Sequence, residues 1–178
     1  MKLRTVVLVF IVSAMLFAAS SLALSVYRVL NTSPAIDTAP SIVNVEQPYS
    51  PVSYDAMAEL INVKRSENGV KPALTNSKAL NASAQLKAND MVKSNYWAHN
   101  DPEGNEPWRF FHAVGYKYKS AGENLAKCYY TPEAVVDAWF ASPEHRANIL
   151  GDYEDIGFGV GTLEGGCLLI VNHFGKLK

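Results

Sequence analysis

The chain has 178 residues, 48% apolar and 19% charged, with 16 basic residues against 17 acidic ones and a formal net charge of -1. With no basic excess and no long run of one sign, nothing recommends it for holding a phosphate backbone, so nucleic acid is excluded as a partner. The length suits one domain whose core needs neither a metal nor a lattice of disulfides.

At the start, Lys2 and Arg4 precede a nearly unbroken apolar run from Val6 to Ala19 that continues through Leu22, Ala23, Leu24 and Val26. Such a segment directs a chain to a membrane. Residues 1–26 are read as a signal peptide cut near the small residues Ala19 to Ala23, or as an uncleaved anchor. From Val6 to Val26 there are about 21 residues, enough for a transmembrane helix at about 1.5 Å per residue. The positive flank keeps the N-terminus inside, so the expected location is secreted or on the extracellular face of the cytoplasmic membrane. Residues 27–52 carry Pro34, Pro40, Pro48 and Pro51 among small polar residues, without a periodic apolar face. They read as a flexible linker ahead of a domain at 53–178.

That domain opens with a helix over Asp55 to Ser66, lined by Met57, Leu60 and Ile61 and stopped by Gly69. A second helix is expected from Asn76 to Tyr96, where Leu80, Ala84, Ala88 and Met91 recur at three and four residues, so that His99 emerges just beyond its end. Asn100 to Ser120 is rich in turn residues and aromatics, with a short helix over Trp108 to Val114. Thr131, Pro132 and Glu133 form a helix start of cap, proline and acid, followed by the buried face Val135, Val136, Trp139 and Phe140. Ser142 and Pro143 have the same form and begin a short helix with His145 in its first turn. Ile156 to Thr162 alternates glycine with Phe158 and Val160 and reads as a strand that something approaches closely. After a turn at Gly165 and Gly166, Cys167 to Phe174 closes the chain as a strand. Helices first and a late hairpin give an α+β fold with helices packed on an antiparallel sheet.

The polar residues beside apolar anchors are His99, Glu123, Glu144, His145 and His173. If they converge, two imidazoles and a carboxylate could hold zinc with an open fourth position, or an acid and a base could act on bound water. Their spacing matches no short metal motif. Glu144 reads as a solvated first-turn acid, His173 as a structural histidine, and Arg146 as the partner of Asp152, Glu154 or Asp155. Trp97, Trp108 and Trp139 are core or rim aromatics. Cys128 and Cys167 either pair outside the membrane, tying the middle of the chain to its last strand, or stay as buried thiols.

Five stretches in order resemble a bacterial-type member of the CAP superfamily, also called the SCP, PR-1-like or cysteine-rich secretory protein family. They are LINVKRSENGVKPAL at 60–74, the small-residue helix ending in His99 with Pro102 and Gly104, GENLA at 122–126, WFASPEHRANIL at 139–150 and IGFGV at 156–160. The resemblance implies an α-β-α sandwich with a central antiparallel sheet between helical layers. It also implies a cleft lined by His99, Glu123 and His145, which could take zinc or another divalent metal, with Asn124 bonding backbone groups of its loop. The second acidic residue usual in eukaryotic relatives is replaced near Ser142.

The expected function is therefore an exported binding or interaction module facing a lipid, cell-wall or protein ligand and held at the membrane by its N-terminal segment. The alternative is a metal-dependent hydrolase of peptide or lipid bonds in which Glu123 takes the proton of a bound water. No serine or cysteine stands in a recognisable elbow or triad, so no catalytic nucleophile is assigned.

Overall fold

Short polar side chains start the helices. Ser53 accepts from the Ala56 N–H, Ser77 from Leu80 and Thr131 from Ala134, and proline follows Thr131 directly. The computed structural model describes residues 52–178. Its elements in order are α1 (Tyr54–Glu67), β1 (Thr75–Asn76), α2 (Lys78–Lys93), α3 (Trp108–Ala113), β2 (Tyr118–Lys127), α4 (Pro132–Ala141), α5 (Pro143–Ile149), β3 (Asp155–Thr162) and β4 (Leu168–Leu177). At the Ser-Pro break, Ser142 holds the capping position, but its hydroxyl makes no cap bond. Its carbonyl accepts the Arg146 N–H at 2.8 Å instead.

The sheet runs β1-β3-β4-β2. Its three long strands are antiparallel, and the two-residue β1 adds a parallel edge beside Asp155 and Ile156. Helices cover both faces, giving the three-layer α+β arrangement. On one face, Ala84, Ala88 and Met91 of α2 meet Leu125, Leu169 and Val171. On the other, α1, α4 and α5 bring Met57, Ile61, Val136, Trp139 and Ile149 against Ile156, Phe158, Ile170 and Phe174. The two sets alternate along each strand, as a pleated sheet between two layers requires. Each large side chain so buried contributes about 1.5–3 kcal/mol.

The approach expected at the glycines of β3 is made by α2. A Cβ at Gly157 or Gly159 would run into the α2 backbone at Leu80 and Ala84. At that distance α2 completes the sheet edge beyond β1. Asn81 accepts the Phe158 N–H at 2.8 Å, and Gln85 accepts from the N–H of Val160 at 3.1 Å while donating to its carbonyl at 2.8 Å. At the opposite edge Trp139 donates to the Leu125 carbonyl at 3.0 Å and Asn148 to that of Glu123 at 3.1 Å. Side chains thus occupy backbone groups that a foreign strand would use.

Cys128 and Cys167 form a disulfide (S–S 1.99 Å) between the end of β2 and the start of β4. Core packing begins at Val52, which is buried. The expected signal or anchor at 1–26 and the rest of the expected linker lie outside the described residues. Among the described residues, no helix is long and apolar enough to cross a membrane.

Candidate functional site

The β2–β4 register sets Glu123 opposite His173, and on the far side of β4 His173 faces Gly157. Directly paired residues project on one face. Because Gly157 lets α2 sit close, Ser83 of that helix reaches His173, with Oγ 3.0 Å from Nδ1. The other ring nitrogen, Nε2, lies 3.0 Å from Glu123 Oε2. Glu123 Oε1 in turn lies 2.6 Å from His99 Nδ1. A bonded chain therefore runs Ser83, His173, Glu123, His99 from the core to the surface. Side-chain exposure along it is 0% at His173, 2% at Glu123 and 56% at His99.

Burial alone would raise the Glu123 pKa. The bonds from His173 and His99, with the positive field of Lys87, reverse this and hold it below the ordinary carboxylate value. Burial lowers the His173 pKa, and the attraction of Glu123 offsets only part of that. The inner pair is thus a carboxylate beside a neutral imidazole. An ionised carboxylate only accepts, so both imidazoles donate to it. His173 carries its proton on Nε2 and accepts the Ser83 hydroxyl proton on Nδ1. His99 donates from Nδ1, which leaves Nε2 with a free lone pair when the ring is neutral.

His99 lies on an irregular segment after α2, and Lys87 holds it there. The buried Lys87 ammonium donates to Tyr96 Oη at 3.1 Å, the Ala98 carbonyl at 3.0 Å and the His99 carbonyl at 2.6 Å. Burial lowers the Lys87 pKa, with Glu123 pulling the other way. Further along, Arg109 bridges Asp90 at 2.7 Å and Asp101 at 3.0 Å, and Asp101 closes the following turn by accepting from the Asn105 N–H at 2.8 Å.

His145 is half-buried in the first turn of α5. Asn124 donates to its carbonyl at 3.1 Å, and Asn148 donates to Asn124 Oδ1 at 2.8 Å. Asn124 therefore bonds a backbone group, on α5. Arg65, buried under α1, donates to the Ile149 and Gly151 carbonyls at 2.8 and 2.9 Å. Burial lowers the His145 pKa, and the charge of His99 lowers it further. A cleft of about 330 Å³ opens beside His99, walled by that residue with Glu106, Trp108, Gly122, Glu123 and Asn148.

In the expected ligand set of His99, His145 and Glu123, the carboxylate is bonded to two imidazoles. Among the described residues, no group of three His, Cys, Asp or Glu side chains could hold a metal ion. Each Glu123 oxygen bonds one imidazole, Oε1 that of His99 and Oε2 that of His173. Glu123 thus orients the His99 ring through Nδ1.

Other expectations are altered. Arg146 lies over the Phe140 ring at 5.8 Å. The acids expected for it are occupied elsewhere: Asp152 and Glu154 face Lys176, and Asp155 accepts from Tyr116. His173 is structural, as read, and is also bonded to the site. Trp139 is core, Trp108 walls the cleft, and the exposed Trp97 lies under Lys127 at 5.0 Å. Lys87 and Arg65 went unsuspected, although both fall on apolar stripes: Lys87 between Ala84 and Met91, and Arg65 four residues after Ile61. A cation on a buried helical face is the signal that would have found them.

A family model described as "Cysteine-rich secretory protein family" matches residues 58–174. An uncharacterized protein, YkwD of Bacillus subtilis (strain 168), is 40% identical over 121 residues, covering 67% of this chain and 46% of that protein. The chain thus matches less than half the length of that relative. Two solved structures share the fold, each at 22% identity. An outer surface protein from Borrelia burgdorferi has a TM-score of 0.63, covering 70% of this chain and 92% of that one. An extracellular protein containing a SCP domain from Bacillus anthracis str. Ames has a TM-score of 0.61, covering 69% of this chain and 40% of that one.

Proposed function

The chain belongs to the cysteine-rich secretory protein (CAP) family, and on that premise we propose that it is an exported module at the cell surface whose cleft binds a lipid, cell-wall or protein ligand. One observation carries the reading: His99 is exposed at the cleft while its Nδ1 is fixed on a buried carboxylate, so Nε2 is the atom offered to a ligand. Trp108 supplies a flat apolar wall, and Asn148 and Glu106 supply polar ones. This suits a ligand with both kinds of surface. The N-terminal segment would place the domain outside the membrane.

His99 and His145 would be the residues to hold zinc or another divalent cation, which when bound would polarise a carbonyl or water in the cleft. Calorimetric titration with Zn²⁺ tests this on the wild type, His99→Ala and His145→Ala. Stoichiometric binding lost in both variants supports the two-imidazole site. Binding that survives both substitutions, or a folded wild type that binds none near neutral pH, removes the metal from the reading.

A second reading, hydrolysis of peptide or lipid bonds, is favoured by the His99–Glu123 pair. An imidazole oriented by a carboxylate is the arrangement of a general base, and it assigns proton acceptance to His99 rather than Glu123. Turnover of ester or peptide probes that vanishes in His99→Gln would support it. No turnover across such probes would leave the binding reading alone.

A further inference from the structure

We infer that His173, pinned by Ser83, is the positioning residue that holds the Glu123 carboxylate toward His99 and so fixes which His99 nitrogen faces the cleft. The inference rests on the cleft being the binding site.

Of the two partners of Glu123, the outer one is exposed and attached to irregular backbone, and it cannot by itself hold a carboxylate in one orientation. The inner partner has no such freedom. His173 stands on the central strand β4 with no exposed side-chain surface, and its ring lies against that of Phe111 with centroids 4.6 Å apart. Both its nitrogens are engaged, Nδ1 with Ser83 and Nε2 with Glu123. With Nδ1 occupied as an acceptor, the only proton of the neutral ring lies on Nε2, aimed at the carboxylate.

If an apolar side chain replaced His173, Glu123 Oε2 would be buried without a donor, which is costly. The carboxylate would then be free to rotate, which frees His99 Nδ1. Ser83 acts one step further in, because its hydroxyl on Nδ1 holds the His173 ring in the orientation that aims Nε2 at the carboxylate. Binding at His99 Nε2 should therefore depend on two residues that never reach the cleft.

The test is a nitrogen-15 NMR measurement of histidine tautomers on the full chain, whose four histidines keep assignment tractable. It compares wild type, His173→Gln, His173→Phe and Ser83→Ala above the histidine titration range. Glutamine can place an amide donor where Nε2 stood, whereas phenylalanine fills the space without a donor. Wild type and His173→Gln should show His99 protonated on Nδ1, and His173→Phe should show a mixture of tautomers. Zn²⁺ affinity, measured alongside, should fall by about tenfold or more in His173→Phe and be largely retained in His173→Gln.

A folded His173→Phe protein with unchanged His99 tautomer and unchanged Zn²⁺ affinity overturns the inference. If His173→Phe does not fold, Ser83→Ala decides: a partly mixed His99 tautomer supports the inference, and wild-type tautomer and affinity overturn it. If the wild type binds no Zn²⁺, the metal reading falls separately, and the tautomers alone decide the role of His173.

Discussion

His99, which walls the cleft, and His145, on the helix whose Asn148 also walls it, stand on different supports. His99 sits on irregular backbone, and a buried ammonium reaches its carbonyl and its neighbour's. His145 sits in a helix, so one neutral amide on its carbonyl suffices locally, and the cation on that side, Arg65, grips the far end of α5. Irregular backbone has no ladder to satisfy its carbonyls, and charge-assisted bonds are the strong substitute. A helix satisfies its own interior and needs help only at its last turn. Of these two histidines, the more exposed is thus the one whose backbone is held by charge.

The largest effects should come from removing the two cations. Arg65→Met strands carbonyls of Ile149, Gly151 and Pro72 and should cost about 4 kcal/mol in denaturant unfolding. Lys87→Met should cost about 3 kcal/mol by the same reasoning. The comparison is sharpened by NMR: Lys87→Met should broaden His99 and spare His145, and Arg65→Met should do the reverse. If both variants disturb both rings equally, the two supports are not independent.

A smaller and graded effect is expected with pH. The folded His173 pKa is lowered, so below the ordinary histidine value of about 6.5 the unfolded chain takes a proton that the folded one refuses. Stability should fall as pH drops from there, with His145, also lowered, acting in the same window. The lowered Glu123 pKa gives stability that is present above the ordinary glutamate value and lost as pH falls through the folded one. Urea midpoints from about pH 8 to about pH 2.5 should therefore decline in two stages, and His173→Gln should shrink the first.

Asn148→Ala removes donors to Glu123 O and Asn124 Oδ1 and should cost about 1–2 kcal/mol, read on the same urea curves. The smallest effect belongs to Arg146→Ala. In contact with the Phe140 ring and outside the core, Arg146 should change stability by no more than about 0.5 kcal/mol.

What the sequence disclosed follows from the range of the interactions. Helix starts at Thr131 and Ser142, and the glycine strand at 156–162, are local signals, legible in a few residues. β2 was not legible from pattern, because Gly122, Glu123 and Asn124 are poor strand formers held there by tertiary partners. The resemblance supplied His99, Glu123 and His145 but not their connectivity. The Glu123–His173 contact joins residues 50 apart and exists only once β2 and β4 pair in one register. Without that register His173 reads as a lone core histidine, and Glu123 as a free carboxylate available to a metal.

The most direct test is the ionisation of Glu123, followed through its side-chain carboxyl carbon in carbon-13-labelled protein as pH is lowered while the fold persists. If two imidazoles and Lys87 hold the buried carboxylate charged, its midpoint lies below about 4.3, the ordinary glutamate value. A midpoint at or above that value would mean that burial outweighs them, and would contradict a fixed carboxylate that directs His99 into the cleft.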